Sequence, residues 1–250
     1  MNNSYKLYTG IFTIIIILLI VTILVMFFRR SFTIVNIQPF ENIWDNIKSY
    51  KLYSLIERTK NCFQELNIDF IPIYGSLLGV IRHNSIIPWD DDYDICIHKK
   101  YFDTILENEK LFDKNGLKVI INQPVLFKNK FLKIFDKNEK LISERDWAWP
   151  FIDVFGYTIK NENLFLENNE IKNSKYVFST NDFFPLQKSY FMLDNYKIEI
   201  KLPRNSEKIL NNLYGNNWKE MCYSSGYNHQ LEKHFTKVYK RKCNEIMKIE

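Results

Sequence analysis

Residues Tyr74 to Asp94 read YGSLLGVIRHNSIIPWDDDYD. The stretch follows a short apolar run, Phe70-Ile71-Pro72-Ile73-Tyr74, which reads as a strand. Gly75-Ser76 turns this strand into a helix over Leu77 to Arg82. A loop with Pro88 then leads into the acidic run Trp89-Asp90-Asp91-Asp92-Tyr93-Asp94. From Asp92 to Ile97 polar and apolar residues alternate, the period of a half-buried strand. Successive side chains on a strand point to opposite faces. Asp92 and Asp94 therefore share a face, Asp91 points away, and Asp90 joins them where the chain is already extended. Two carboxylates aimed at one point repel unless a divalent cation lies between them. Hard oxygen ligands suit Mg2+ or Mn2+, and a metal so held also takes the phosphates of a nucleotide. Gly75 lets backbone N–H groups come close to an anion, the new helix N-terminus favours negative charge, and Ser76 offers a hydroxyl. Arg82 suits a phosphate and Asp90 equally well. Each part alone has a plain alternative: a solvated acidic turn, or a serine-capped helix start.

Outward from this stretch, Ile43, Ile47, Leu55, Ile56, Cys62, Phe63 and Leu66 fall at helical spacing and predict one helix, or two, over 40–66. Tyr101 to Phe112 predicts an amphipathic helix. Strands are expected at Leu117–Ile121, Val125–Phe127, Phe131–Phe135 and Phe151–Phe155, the last containing Asp153. Ser206–Tyr214 and His229–Ile249 read as helices. The mixture is that of an α/β (α+β) domain with a central sheet and helices against it. Lys130 and Lys133 read as solvated, like most lysines. Trp89 and Trp149 read as packing residues, and Cys96 as a small buried hydrophobe. His83, His98, His229 and His234 show no metal-ligand spacing and read as surface or core.

Ile11 to Phe28 is an uncharged run, IFTIIIILLIVTILVMFF, closed by Arg29-Arg30. Eighteen uncharged residues at about 1.5 Å rise each span a bilayer core, and the large residues after the run do not resemble a cleavage site. The expected layout is a tail and transmembrane anchor over 1–30, a stem over 31–40 and a catalytic domain over 41–250. The two arginines after the span favour a cytosolic domain by the positive-inside rule. The net charge is +5, from 34 basic and 29 acidic residues. No dense Lys/Arg block is read in it, so nucleic acid is not an expected partner. The four cysteines form no C-x-x-C pair, which argues against a zinc knuckle and leaves one or two disulfides open.

The whole stretch from Tyr74 to Asp94 resembles the signature of the LicD family, roughly G-x-L-L-G-x-x-R-x-x-x-x-I-P-W-D-x-D-x-D. That family includes bacterial phosphocholine transferases and the animal fukutin and fukutin-related proteins. Gly75, Leu77, Leu78, Gly79, Arg82, Ile87, Pro88, Trp89, Asp90, Asp92 and Asp94 fill the fixed positions. Trp149 to Phe155 looks like the family's second acidic strand. Phe184-Pro185-Leu186, Leu202-Pro203 and Leu213 to Trp218 look like its later landmarks, so the resemblance covers about 45–220. Gly156 stands where members often have proline. The resemblance implies a nucleotidyltransferase-like fold. It implies transfer of phosphocholine or an alditol phosphate from a CDP-type donor to a glycan. By matching positions, Asp92 and Asp94 would be metal ligands with Asp90 a close third, and Asp153 a ligand or general base. The fukutin-like members imply a luminal, Golgi-type placement, against the charge rule. Two rival expectations are a nucleotidyltransferase moving NMP and a membrane-tethered, non-catalytic binder of glycan or nucleotide.

Overall fold

The computed structural model describes residues 13–22, 38–123, 130–166 and 174–246. The chain divides into two compact units, Met1–Gln38 and Pro39–Glu250. In the first, residues 13–22 are helical, with Ile14 to Val21 exposed. No helix among the described residues is long and apolar enough to cross a membrane. The rest of the expected span, and all of the stem before Gln38, lie outside the described residues.

The second unit begins with helix α1 (Asn46–Glu65), capped by the Asp45 side chain accepting from Lys48 N. Its buried residues are Ser49, Leu52, Leu55, Ile56, Thr59, Cys62 and Phe63, a stripe at three- and four-residue spacing. Each fully buried Leu, Ile or Phe contributes ~1.5–3 kcal/mol. Ile47, expected on that stripe, is 71% exposed in the first turn. Next come β1 (Ile71–Pro72), α2 (Tyr74–His83), β2 (Tyr93–His98), α3 (Phe102–Glu107) and α4 (Glu109–Lys114). One helix was expected over 101–112. The chain breaks at Asn108, whose side-chain amide donates to Thr104 O at 2.8 Å.

The strands β3 (Leu117–Asn122), β4 (Phe131–Asp136), β5 (Phe151–Lys160), β6 (Asn163–Leu166) and β7 (Val177–Ser179) complete one seven-stranded sheet. Its order is β1-β2-β5-β4-β3, with β6 on β5 and β7 on β6. Only β2 and β5 run parallel, so the sheet is mixed, with helices beside it. The central strands β2, β4 and β5 are almost wholly buried, as strands covered on both faces are. The strand expected at Val125–Phe127 lies outside the described residues. Helix α5 (Thr180–Phe183), hairpin β8 (Gln187–Leu193)–β9 (Tyr196–Leu202) and helix α6 (Ser206–Tyr214) follow.

The expected helix over His229–Ile249 does not form among the described residues 229–246. The chain instead makes β10 (Met221–Tyr223), β11 (Tyr227–Asn228), β12 (Lys233–His234), β13 (Lys240–Lys242) and a single turn, α7 (Cys243–Ile246). Strand β10 pairs with β13, and β11 with β12. Local helical bonds are replaced by others. Asp91 accepts from His229 N at 2.8 Å, Asn228 accepts from Leu231 N at 2.7 Å, and a Cys222–Cys243 disulfide closes the segment. Within it, residues 233–242 hold five cations and no carboxylate. This is a local basic block that the even composition concealed.

Candidate active site

The parallel pairing of β2 with β5 sets Asp94 beside Asp153, and the antiparallel pairing of β5 with β4 sets Asp153 beside Lys133. Three ionisable side chains thus occupy one rung across three neighbouring strands. Asp92, one residue before β2, turns to the same place. Asp92, Asp94 and Asp153 each offer a carboxylate oxygen within 4.8 Å of the others. Lys133 Nζ lies 2.6 Å from Asp153 Oδ1 and 3.0 Å from the centre of the Phe151 ring. That contact is one of charge, because Asp153 Oδ1 is buried with no aligned hydrogen bond. Lys133 is 2% exposed, against the expectation of a solvated lysine. It tolerates burial because a carboxylate and an aromatic face replace its water.

The acidic loop is held by its backbone. Trp44 Nε1 donates to Asp90 O at 2.8 Å and Trp149 Nε1 to Asp91 O at 2.6 Å, and the two indoles stack at 5.5 Å. Trp89 Nε1 donates to Tyr223 O at 2.9 Å, tying the loop to the C-terminal segment. With both carbonyls fixed, Asp91 points into that segment rather than to solvent. Its Oδ1 lies 2.7 Å from His229 Nδ1, and His229 Nε2 lies 3.3 Å from Asp92 Oδ2. The strand begins only at Tyr93, so alternation does not govern Asp91. Through His229 it is joined to the cluster from which it was expected to be remote.

The expected phosphate cradle is arranged differently. Gly75 lines the cleft, and a Cβ there would lie 2.6 Å from Asp90 Oδ2, so the glycine makes room for that carboxylate. Ser76 is buried, and its hydroxyl accepts from Asp94 N at 2.7 Å, fixing the start of β2 instead of facing the cleft. Arg82 donates to Trp218 O at 2.9 Å and to His83 Nε2 at 3.0 Å. It ties α2 to the segment after α6 and does not line the cleft. Gly79 is required by packing: a Cβ would lie 2.7 Å from Ser85 O, where the loop returns over the helix.

The cleft has a volume of ≈ 550 Å3. Asp90, Asp92 and Asp94 face it, with Tyr74, Tyr176, Tyr214, Ser225, Tyr227 and His229 around them. Burial, and then the neighbouring carboxylates, push the acids up: Asp90 to about 8 and Asp94 well above the usual carboxylate range. Asp92 rises to about 6, mainly through burial, with His229 opposing. Burial also raises Asp153, with Lys133 opposing. Burial disfavours a charged His229, but Asp92 and Asp91 outweigh it and hold the imidazole up at about 9. Crowded, buried carboxylates with raised proton affinity fit a hard divalent cation. Asp90 lies outside the group of three and forms the wall against Gly75 and Ser225.

Lys133, Asp91 and His229 were the members that sequence reasoning missed. A lysine inside the apolar run Phe131 to Phe135 was the one signal available for Lys133. Nothing local marks His229, since its partners lie 138 positions away or nearly so.

Comparison with known proteins bears on this site. Residues 67–205 match the model of the LicD/FKTN/FKRP nucleotidyltransferase domain. The lipopolysaccharide cholinephosphotransferase LicD of Haemophilus influenzae is 29% identical over 89 residues, 33% of this chain and 32% of that protein. Two uncharacterized proteins of Rickettsia prowazekii and Rickettsia typhi are 44% identical over 50 residues, 20% of this chain. Those matches cover 19% and 16% of the two rickettsial proteins, so the chain spans a third or less of each of these relatives. The family match covers more than half of the chain and takes in α2, the acidic loop, β2 and β5, and on it the chain belongs to the LicD/FKTN/FKRP nucleotidyltransferase-domain family.

Proposed function

We propose that this chain transfers a phospho-alcohol group, phosphocholine or an alditol phosphate, from a CDP-type donor to a glycan. The observation that carries this reading is the buried rung of Asp94, Asp153 and Lys133 joined by Asp92. It is a cluster whose crowding is costly without a cation and useful with one. Family membership supports the same class of reaction, and the Haemophilus relative is named for cholinephosphate transfer.

Asp92 and Asp94 would hold Mg2+ or Mn2+, with Asp153, already paired to Lys133, as the weaker third ligand. When bound, the ion supplies charge neutralisation at the donor's diphosphate. The protein's own part is to position and to move a proton. Asp90 faces the cleft, while Asp153 is paired to Lys133 and is not part of the cleft lining, so Asp90 in its carboxylate form is the better placed of the two to accept the proton of the acceptor hydroxyl. The acceptor oxygen forms a new bond to phosphorus as the bond from phosphorus to the nucleoside monophosphate breaks. The proton passes to Asp90. His229, held by Asp91, supports Asp92 and closes the cleft wall.

The uncharged run Ile11 to Phe28 supports a membrane tether, and the Cys222–Cys243 disulfide supports a domain in an oxidising compartment; the luminal, Golgi-type placement rests on the fukutin-like resemblance alone. The testing experiment is a screen of CDP- and UDP-activated alcohols with Mg2+ or Mn2+, reading release of nucleoside monophosphate. Release of the free phospho-alcohol with NMP attached to the acceptor would replace phospho-alcohol transfer by nucleotidyl transfer. No turnover of any donor would leave a binder.

A further inference from the structure

Glu232 ends the turn that joins β11 to β12. Its φ is 52°, in the left-handed region that glycine enters freely and a glutamate enters only under strain. Its side chain is only 10% exposed. The carboxylate takes three donors. Oε2 accepts from Arg145 Nε at 3.2 Å and from the Tyr227 hydroxyl at 3.1 Å, and Oε1 accepts from Trp147 Nε1 at 3.3 Å. Arg145 and Trp147 belong to the loop between β4 and β5, the strands that carry Lys133 and Asp153. Tyr227 belongs to the β11–β12 hairpin and lines the cleft. One carboxylate therefore ties the loop to the hairpin, and two routes lead from it to the acidic cluster. The first runs through Trp147, whose ring centre lies 5.2 Å from Lys133 Nζ. The second runs through Tyr227, whose ring lies 4.9 Å from the His229 ring. Backbone strain persists where surrounding contacts over-determine it, and such places cluster at functional sites.

We propose that Glu232 is a positioning residue, which holds the Tyr227 ring on the cleft wall as a surface for the planar base of the donor. The inference rests on the reading of the cleft as a site for a nucleotide-activated donor. Burial, and then the charge of Glu232, raise the Tyr227 phenol above its usual value, so the hydroxyl stays protonated and donates. With its hydroxyl engaged, Tyr227 offers the cleft a ring. The rings of His229 and His234, which also line the cleft, flank it at 4.9 Å and 4.7 Å and limit its rotation. A ring so fixed takes a planar aromatic group by stacking, and loses less freedom on binding than a mobile one. In a CDP-type donor that group is the base, while the diphosphate goes to the cation at the carboxylates.

The test is calorimetric titration of the full chain, in detergent with Mg2+, with CDP and with inorganic pyrophosphate, which lacks the nucleoside. The variants are Y227F, which keeps the ring and loses the tie, E232G, which suits the left-handed backbone and removes the carboxylate, and the two combined. The wild type binds CDP more tightly than pyrophosphate. Each single variant binds CDP roughly tenfold more weakly, within the range of a lost base–ring stack. The double variant is no weaker than the singles, because both changes remove the same tie. Pyrophosphate binds all four forms alike, which a collapse of the cleft wall would not allow. Unchanged CDP affinity in either single variant overturns the proposal. So do losses that multiply to about a hundredfold in the double variant, or equal losses for CDP and pyrophosphate. Wild type that binds CDP no better than pyrophosphate overturns it as well. If the binding pattern appears but no CDP-activated alcohol is turned over, the transfer reading fails while the role of Glu232 stands. Turnover without the pattern gives the reverse.

Discussion

The carboxylate of Asp91 is clamped to His229 twice, through the backbone N–H at 2.8 Å and the imidazole Nδ1 at 2.7 Å. Asp91 is 3% exposed, so neither bond can be replaced by water. Asp91→Asn keeps the shape but sets an amide N–H against a donor, whether His229 Nδ1 or the N–H groups of His229 and Gln230. A buried donor left unpaired costs ~1–3 kcal/mol, so a fall of about 2 kcal/mol in stability is expected, read by denaturant unfolding. Because His229 Nε2 lies 3.3 Å from Asp92, turnover falls as well. A variant with unchanged unfolding and full activity would show that the clamp does nothing.

Asp92→Asn and Asp94→Asn should each abolish turnover without loss of fold. Each removes one charge from a set of three whose oxygens lie within 4.8 Å of one another. Loss of a group one step out from a metal costs about 10–100-fold in affinity or activity, and a direct ligand costs more. In the metal-free state the loss relieves repulsion, so Asp94→Asn melts no lower than wild type. Mg2+ should raise the melting temperature of wild type by mass action and do so less for either variant. Differential scanning fluorimetry with and without EDTA decides it; equal metal shifts in all three proteins sink the cluster.

Where local chemistry decides structure, the sequence was legible. The 3.6-residue stripe of α1, the helix Ser206–Tyr214 and the strand carrying Asp153 follow from period and composition. Asp92 and Asp94 meet as expected, although Asp92 stands one residue before β2 and the loop rather than strand alternation brings it there. What stayed hidden depends on distant partners. Ser76 looked like a phosphate ligand because its role, accepting from Asp94 N, needs a register no local pattern encodes. Arg82 offered two partners and took a third, Trp218 O, 136 positions away. The segment after His229 has enough apolar residues for a helix. Asp91 and the Cys222–Cys243 bond decide otherwise, and both act across the fold.

Lys133 shows what such a hidden partner is worth. Its ammonium is 2.6 Å from Asp153, and both side chains are buried. Removing one partner of a buried pair leaves an uncompensated charge, which costs about 3–5 kcal/mol. Lys133→Met should therefore unfold at clearly lower denaturant. Asp153→Asn added to it should recover part of the loss, because the orphaned charge is gone. A double-mutant cycle by urea unfolding measures the coupling. Strictly additive losses would mean that the two residues do not stabilise one another in the fold.

The same electrostatics fixes how stability depends on pH without metal. Asp92 and Asp90 are pushed up to about 6 and about 8, Asp94 higher than the ordinary carboxylate, and His229 to about 9. A group whose folded-state pKa is raised binds its proton more tightly in the native chain. Its stabilising contribution is complete below the unfolded pKa and is lost as pH rises through the folded one. His83 has the opposite sign. Burial, then Arg82, lowers it to about 4, so its neutral form favours the fold above the ordinary histidine value of 6.5, and that contribution is lost as pH falls from there. Above pH 6.5 His83, and His98 which burial also lowers, are largely neutral in both states; the site then sets the slope, with the burial-raised thiols of Cys62 and Cys96 adding to the fall only as the pH nears their ordinary value of 9.0. In EDTA the melting temperature should fall steadily from pH 6.5 to pH 9, the window between the ordinary histidine value and the raised value of His229. Asp94→Asn removes one of the repelling charges and should flatten that fall. Excess Mg2+ should also flatten it, because metal binds the deprotonated cluster more tightly as protons leave. A melting temperature that is level or rising over this range in EDTA would mean that the carboxylates are not crowded as the rung of Asp94, Asp153 and Lys133 requires.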